Sequence, residues 1–84
     1  MNPGDSSAGA ALGAYAMERR DYDEAIRLWT EALRISPALL LVRANLAVVL
    51  IRKRRHDDAR AVLEKALEFN PEFPAARRLL AEIQ

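Results

Sequence analysis

The stretch ALLLVRANLAVVLI, residues 38–51, is the most apolar part of this 84-residue chain. Only Arg43 and Asn45 interrupt it, and it contains neither Gly nor Pro. It is longer than a typical strand and shorter than the roughly 20 apolar residues that cross a bilayer. We therefore predict a helix that follows Pro37 and continues to about Lys53.

Wound at about 100° per residue, this helix has two apolar faces. One face carries Leu39, Leu46, Ala47 and Leu50, and the other carries Leu41, Ala44, Val48 and Ile51. An ordinary surface helix has one apolar stripe and one polar face. We therefore predict that other helices cover one side, and function depends on what covers the second.

The composition favours one small helical domain. Hydrophobic residues make up 51% and charged residues 30% of the chain, as in globular proteins, and aromatics are only 6%. A net charge of +1 provides no general attraction to nucleic acid or to an anionic membrane. The absence of cysteine excludes disulfides and thiolate metal sites. The N-terminus lacks the features of a secretory signal, so we expect a cytoplasmic protein without a membrane span. The alternative that a signal peptide has been cleaved from the protein stays open.

Capping and helix-breaking residues divide the chain into five predicted helices after a disordered tail at residues 1–5. The helices cover about residues 6–20, 21–35, 38–53, 56–69 and 75–83. Asp21 is expected to cap the second helix with Glu24 reaching back, and Pro37 and Pro71 follow the ends of the second and fourth. Gly9 and Gly13 weaken the first helix and predict either close packing or fraying.

Each helix also has a predicted apolar stripe. In the second helix the stripe is Ala25, Leu28, Trp29, Ala32 and Leu33; in the fourth it is Ala59, Val62, Leu63, Ala66 and Leu67; in the fifth it is Leu79, Leu80 and Ile83. We expect Leu80 and Ile83 to face the fourth helix. On the outer face of the second helix, Arg27 and Arg34 are both predicted to pair with Glu31.

Residues 34 positions apart are alike along the chain. The matches are Leu12, Leu46 and Leu80; Asp23 and Asp57; Ala25 and Ala59; Ala32 and Ala66; Leu33 and Leu67; Pro37 and Pro71; and Ala47 and Ala81. A fixed period with two helices in it is the signature of a helical repeat array.

These residues resemble the tetratricopeptide repeat family over about residues 6–84. Leu12-Gly13 is similar to the Leu-Gly pair of the family pattern, and Trp29 occupies the place of its large aromatic residue. The pattern's small residues and terminal proline match Ala25, Ala32, Ala59, Ala66, Pro37 and Pro71. The chain departs from the pattern at its early Trp, replaced by Gly9, Arg43 and Arg77, and at its Tyr, replaced by Ala16 and Leu50.

The resemblance implies an all-α, right-handed α-solenoid of antiparallel helix pairs. Its two units would cover about residues 6–39 and 40–73, and residues 74–84 would form a C-terminal capping helix. Each unit depends on its neighbour to bury its apolar face.

No constellation of residues indicates an enzyme. His56 is the only histidine and lies beside Asp57 and Asp58, where acids at a helix start favour the helix dipole. The basic run at residues 52–55 has no aromatic residues among its cations, which argues against nucleic-acid binding. We expect no cofactor and no bound metal.

In the family that this chain resembles, the first helix of each unit lines a concave groove that binds a peptide or a helix. That geometry predicts a partner-binding groove of Ala10, Ala14, Met17, Leu41, Ala44, Asn45, Val48, Ile51, Arg52 and Arg78. One subclass grips a terminal carboxylate with Lys, Asn and Arg; here only Asn45 matches, and the other places hold Ala10, Ala14, Ala75 and Leu79. An apolar groove of this kind suits an amphipathic helix of another protein. Two alternatives stay open: the chain self-associates into a homo-oligomer, or it is a fragment of a longer scaffold.

Overall fold

A computed structural model describes residues 7–83, and that range contains five helices. They are α1 (Ser7–Glu18), α2 (Tyr22–Ile35), α3 (Leu40–Arg52), α4 (His56–Phe69) and α5 (Pro74–Ile83). The five helices were expected from the sequence, and α3 begins slightly later than predicted. The N–H of Leu39 donates to the carbonyl of Ser36 at 3.3 Å, so a turn occupies the residues just before α3. The predicted disordered tail lies outside the described residues.

The helices form a solenoid of two helix pairs and a capping helix. α1 packs against α2, α3 packs against α4, and α5 covers α4 and part of α3. α3 is the central element, because it contacts each of the other four helices. This arrangement explains why its sequence is the most apolar in the chain.

The predicted stripes of α2 and α4 pack into the core together with α3. Ala25, Trp29, Ala32, Leu33, Ala59, Leu63 and Ala66 are buried, and Leu28, Val62 and Leu67 are half-buried. Trp29 is fully buried, and its indole Nε1 donates to the carbonyl of Ala10 at 3.1 Å. Gly13 lies directly beneath the indole ring. The small residues of α1 therefore do allow close packing against α2.

The second apolar face of α3 is narrower than predicted. Val42, Arg43, Ala44, Leu46, Ala47, Val49 and Leu50 are all buried. Ala44, which the winding assigned to the free face, is only 8% exposed and belongs to the core. The reason is that four helices contact α3, and seven of its thirteen residues are buried.

Arg43 is the one charged residue buried in the described part of the chain, with 8% of its surface exposed. Its Nε donates to the carbonyl of Pro37 at 2.7 Å, and one terminal nitrogen donates to the carbonyl of Val62 at 3.4 Å. Its guanidinium also lies 5.8 Å from the centre of the Phe69 ring. Burial lowers the pKa of Arg43, and the negative charge of Glu68 opposes that change. Arg43 thus joins the turn before α3 to α4, at a place where the family pattern has Trp.

α5 buries Leu79 of its predicted stripe and also Ala76, which the stripe did not include. The other residues of the stripe, Leu80 and Ile83, are only half-buried. Because α5 packs against α3 as well as α4, its most buried side is turned toward both helices.

The local ion pairs of α2 differ in part from the prediction. The Asp21 carboxylate caps the helix by accepting from the N–H of Glu24 at 3.3 Å. The side chain of Glu24 pairs with Arg27, so the expected Arg27–Glu31 pair does not form. The expected Glu31–Arg34 pair is present, with Nε of Arg34 3.0 Å from a carboxylate oxygen.

Candidate functional site

The first helices of the units come together on one side of the molecule. α3 contacts both α1 and α5, whereas α2 and α4 do not contact each other within residues 7–83. Helices that approach one another lie on the inner side of a curved array. The side formed by α1, α3 and α5, here called the inner face, is therefore the one that supplies a concave surface.

Most of the sequence-predicted groove residues keep accessible surface on this face. Ala14, Leu41, Asn45, Arg52 and Arg78 are exposed, Ala10, Met17, Val48 and Ile51 are half-buried, and Ala44 is buried. Ala44 therefore offers almost no surface to a partner.

The accessible part of α3 is a single stripe along the helix. Leu41, Asn45, Val48 and Arg52 follow one another at spacings of four, three and four residues, which places them on one side of a helix. Leu41 is 74% exposed, more than any other large apolar side chain in the described range. The stripe is apolar at Leu41 and Val48 and polar at its C-terminal end.

A shallow concavity lies between α1 and the start of α3. It is lined by Ala10, Ala38, Leu39, Leu40, Leu41 and Val42. It brings Ala10 and Leu41, which are far apart in sequence, into one apolar surface. The lining has no charged side chain, so this end of the inner face favours apolar contacts.

The basic run at the end of α3 is largely occupied by contacts within the chain. A terminal nitrogen of Arg52 is 3.2 Å from the hydroxyl of Tyr22, and Lys53 pairs with Asp23. The hydrogen bond from Lys53 lowers the pKa of Asp23 below its usual value. Arg55 is 2.9 Å from a carboxylate oxygen of Asp58. The contacts of Arg52 and Lys53 connect the end of α3 to the start of α2, and Arg55 pairs within the first turn of α4. Arg52 remains exposed, and its contact with the neutral Tyr22 hydroxyl leaves its charge available to a partner.

The described residues contain no grouping suited to metal chemistry. Between residues 7 and 83, no three side chains of His, Cys, Asp or Glu are close enough to hold a metal ion. What the inner face offers is an apolar contact surface with polar margins.

The sequence reasoning missed a second accessible apolar surface. Leu12 is 54% exposed and Tyr15 is 59% exposed, and both lie on α1 beside a concavity between α1 and α2. The 34-residue period carried a signal for them, because their counterparts Leu46 and Val49 lie within the apolar stretch of α3.

Comparison with known proteins agrees with the repeat and the fold. A family model described as the tetratricopeptide repeat matches residues 16–83, which is most of the chain. The chain therefore belongs to the tetratricopeptide repeat family. A search of curated proteins found no match. Members of this family are, in general, modules for protein–protein interaction.

No helix between residues 7 and 83 has the length and apolar character needed to cross a membrane.

Proposed function

We propose that this chain presents its inner face to an amphipathic helix or an extended peptide of another protein. The observation that carries the proposal is the 74% exposure of Leu41 on a helix that is otherwise mostly buried. A large apolar side chain on a rigid, preformed surface contributes binding energy when a partner covers it. No catalytic role is proposed.

The polar residues beside the apolar part of the inner face indicate what kind of partner helix would bind there. Arg52 and Arg78 are exposed on the inner face, and Asn45 lies between Leu41 and Val48 on the α3 stripe. A partner helix with apolar residues at i, i+3, i+4 and i+7 would cover the apolar part. Acidic residues beside that stripe would meet the two arginines, which favours orientation and specificity more than affinity.

The test is selection of binders from a display library of helical peptides, followed by mapping on the isotope-labelled protein. We expect enriched peptides to be amphipathic with acidic flanks. The largest amide shifts are expected at Leu41, Asn45, Val48 and Arg52. Enriched peptides whose shifts fall on α2 or α4 instead, or a failure to enrich any peptide, would contradict the proposal.

Substitutions separate binding from folding. We expect Leu41→Glu and Val48→Glu each to weaken the selected peptide at least about tenfold, while far-UV circular dichroism stays unchanged. Ala61→Glu, on the exposed side of α4, is the matched control and should bind normally. Unfolding by Val48→Glu would show that Val48 belongs to the core, and Leu41→Glu, at a far more exposed position, then decides the question.

A further inference from the structure

Arg52 has a different kind of partner from the neighbouring cations Lys53 and Arg55. Lys53 and Arg55 each pair with an aspartate. Arg52 instead contacts the hydroxyl of Tyr22 at 3.2 Å, and no carboxylate between residues 7 and 83 pairs with it. The phenol group is neutral at neutral pH. Arg52 therefore keeps an uncompensated positive charge at the C-terminal end of the α3 stripe.

Tyr22 holds the guanidinium of Arg52 in place. Tyr22 is the first residue of α2, and its half-buried ring packs against the hydrophobic core, which fixes the position of its hydroxyl. A mobile arginine side chain loses much rotamer entropy when it binds an anion. Because the hydrogen bond to Tyr22 already restricts Arg52, less entropy is lost on binding.

The same hydrogen bond leaves donors for an anion. One terminal nitrogen of Arg52 donates to the oxygen of Tyr22. The guanidinium has five N–H groups, so further groups can still donate to both oxygens of a carboxylate. The Tyr22 oxygen accepts from Arg52, so its own hydrogen can point to the same anion. The pair thus supplies both N–H and O–H donors.

Lys53 removes a competitor for Arg52. Asp23 directly follows Tyr22, so its carboxylate could reach toward the Arg52 guanidinium. It pairs with Lys53 instead, and this hydrogen bond lowers the pKa of Asp23. The negative charge beside Tyr22 is therefore already compensated, and Arg52 is left for an anion from outside the chain.

We propose that Tyr22 is a positioning residue that presents Arg52 as the anion anchor of the inner face, for a glutamate or aspartate of the partner helix. This inference rests on the proposed function and deepens it by locating the acidic end of the partner. Arg52 lies eleven residues after Leu41, which is about 16 Å along α3. The concavity beside Leu41 has no charged lining. The partner helix is therefore apolar at one end and acidic about three turns away.

The first experiment needs no partner protein. Acetate is titrated into the isotope-labelled chain at constant ionic strength, and the side-chain Nε resonances of arginine are followed by NMR. We expect Arg52 to respond at an acetate concentration at least about threefold lower than Arg78, which is exposed on the same face. Tyr22→Phe deletes only the hydroxyl and should abolish this difference. Tyr15→Phe, at the other tyrosine of the chain, is the matched control and should preserve it.

The second experiment uses the most enriched peptide from the display selection and a version of it whose acidic residues are changed to amides. Tyr22→Phe should weaken the acidic peptide at least about threefold and leave the amide peptide unchanged, and Arg52→Gln should weaken the acidic peptide about tenfold. Asp23→Asn releases Lys53 as a second cation, so it should strengthen binding of the acidic peptide. A purely structural role of Tyr22 would weaken both peptides equally.

Two results would overturn the proposal. One is an equal acetate response of Arg52 and Arg78 in the wild-type chain, even where peptides bind the inner face. The other is an equal loss of affinity for the acidic and amide peptides in Tyr22→Phe. A failure to enrich any peptide contradicts the proposed function instead, and the acetate titration then decides by itself whether Tyr22 and Arg52 form an anion site.

Discussion

The missing side chain of Gly13 sets how closely α1 approaches α2. A Cβ atom at this position would lie 2.7 Å from Cε2 of Trp29 and closer still to Nε1. Trp29 is fully buried and is held by its hydrogen bond to Ala10, so the ring has no room to move away. The other glycine of α1 is in a different environment. A Cβ at Gly9 would be 3.5 Å from the Cβ of Ala32, an ordinary contact.

The two glycines are therefore expected to respond in opposite ways to alanine. Gly13→Ala should lower the free energy of unfolding by about 1–2 kcal/mol, because overpacking outweighs the gain in helix propensity. Gly9→Ala should raise it by about 0.5–1 kcal/mol, because propensity acts alone. Urea denaturation followed by circular dichroism measures both. A stabilising Gly13→Ala would show that α1 shifts freely against α2.

At the scale of the helix, α1 and α3 end in the same way 34 positions apart. Arg20 and Arg54 both have φ of 62°, in the left-handed region. After α1, the N–H of Arg20 donates to Met17 and that of Asp21 donates to Ala16, both at 2.9 Å. Arg54 and Arg55 repeat this pattern after α3. Each helix thus ends in a Schellman motif. Arg20 and Arg54 occupy the left-handed position of the motif, where Gly is usual and any other residue is strained.

Glycine at either position should therefore stabilise the protein. We expect Arg20→Gly and Arg54→Gly each to raise the free energy of unfolding by about 0.5–1 kcal/mol, since glycine adopts positive φ without steric cost. Ala61→Gly, inside α4 and exposed, should lower it by about 1 kcal/mol and controls for a general effect of glycine. Thermal unfolding curves of the three variants are the measurement. Destabilisation by Arg54→Gly equal to that of Ala61→Gly would contradict the assignment of the motif.

At the scale of the whole molecule, stability depends on contacts between neighbouring helices. α5 packs against α3 and α4 and does not contact α1 or α2 in the described part of the chain. A chain this small buries only about 60–65% of its unfolded surface, so no helix pair is expected to persist alone. Loss of packing at α5 should therefore destabilise α1 and α2 as well, because α3 contacts all of these helices.

Leu79→Ala tests this coupling across the array. Leu79 is 8% exposed on α5, and its truncation should cost about 2–4 kcal/mol. Trp29 is the single tryptophan of the chain and lies in the first helix pair, so its fluorescence reports on the opposite end. We expect the fluorescence and circular dichroism transitions to shift together to lower denaturant. A Trp29 transition that stays at the wild-type midpoint would mean that the units unfold independently.

The candidate groove was only partly predictable from the sequence. Helical winding identified Leu41 and Val48 as a second apolar face, and both retain accessible surface. The same helical periodicity also placed Ala44 on that face, because periodicity alone divides the residues of α3 between two opposite faces. The position of Ala44 depends on how many neighbours surround α3, which is a property of the assembled array.

The sequence by itself determined the five helices, the repeat and the family, because capping residues, prolines and the 34-residue period act locally or recur along the chain. Only the tertiary structure decided that Arg43 is buried, that Ala76 is buried on α5 as well as Leu79, and that Leu12 and Tyr15 are exposed. The physical reason is that burial depends on the number and direction of the neighbouring helices. Residues at equivalent places in a repeat therefore differ in exposure when one place has a neighbour and the other does not.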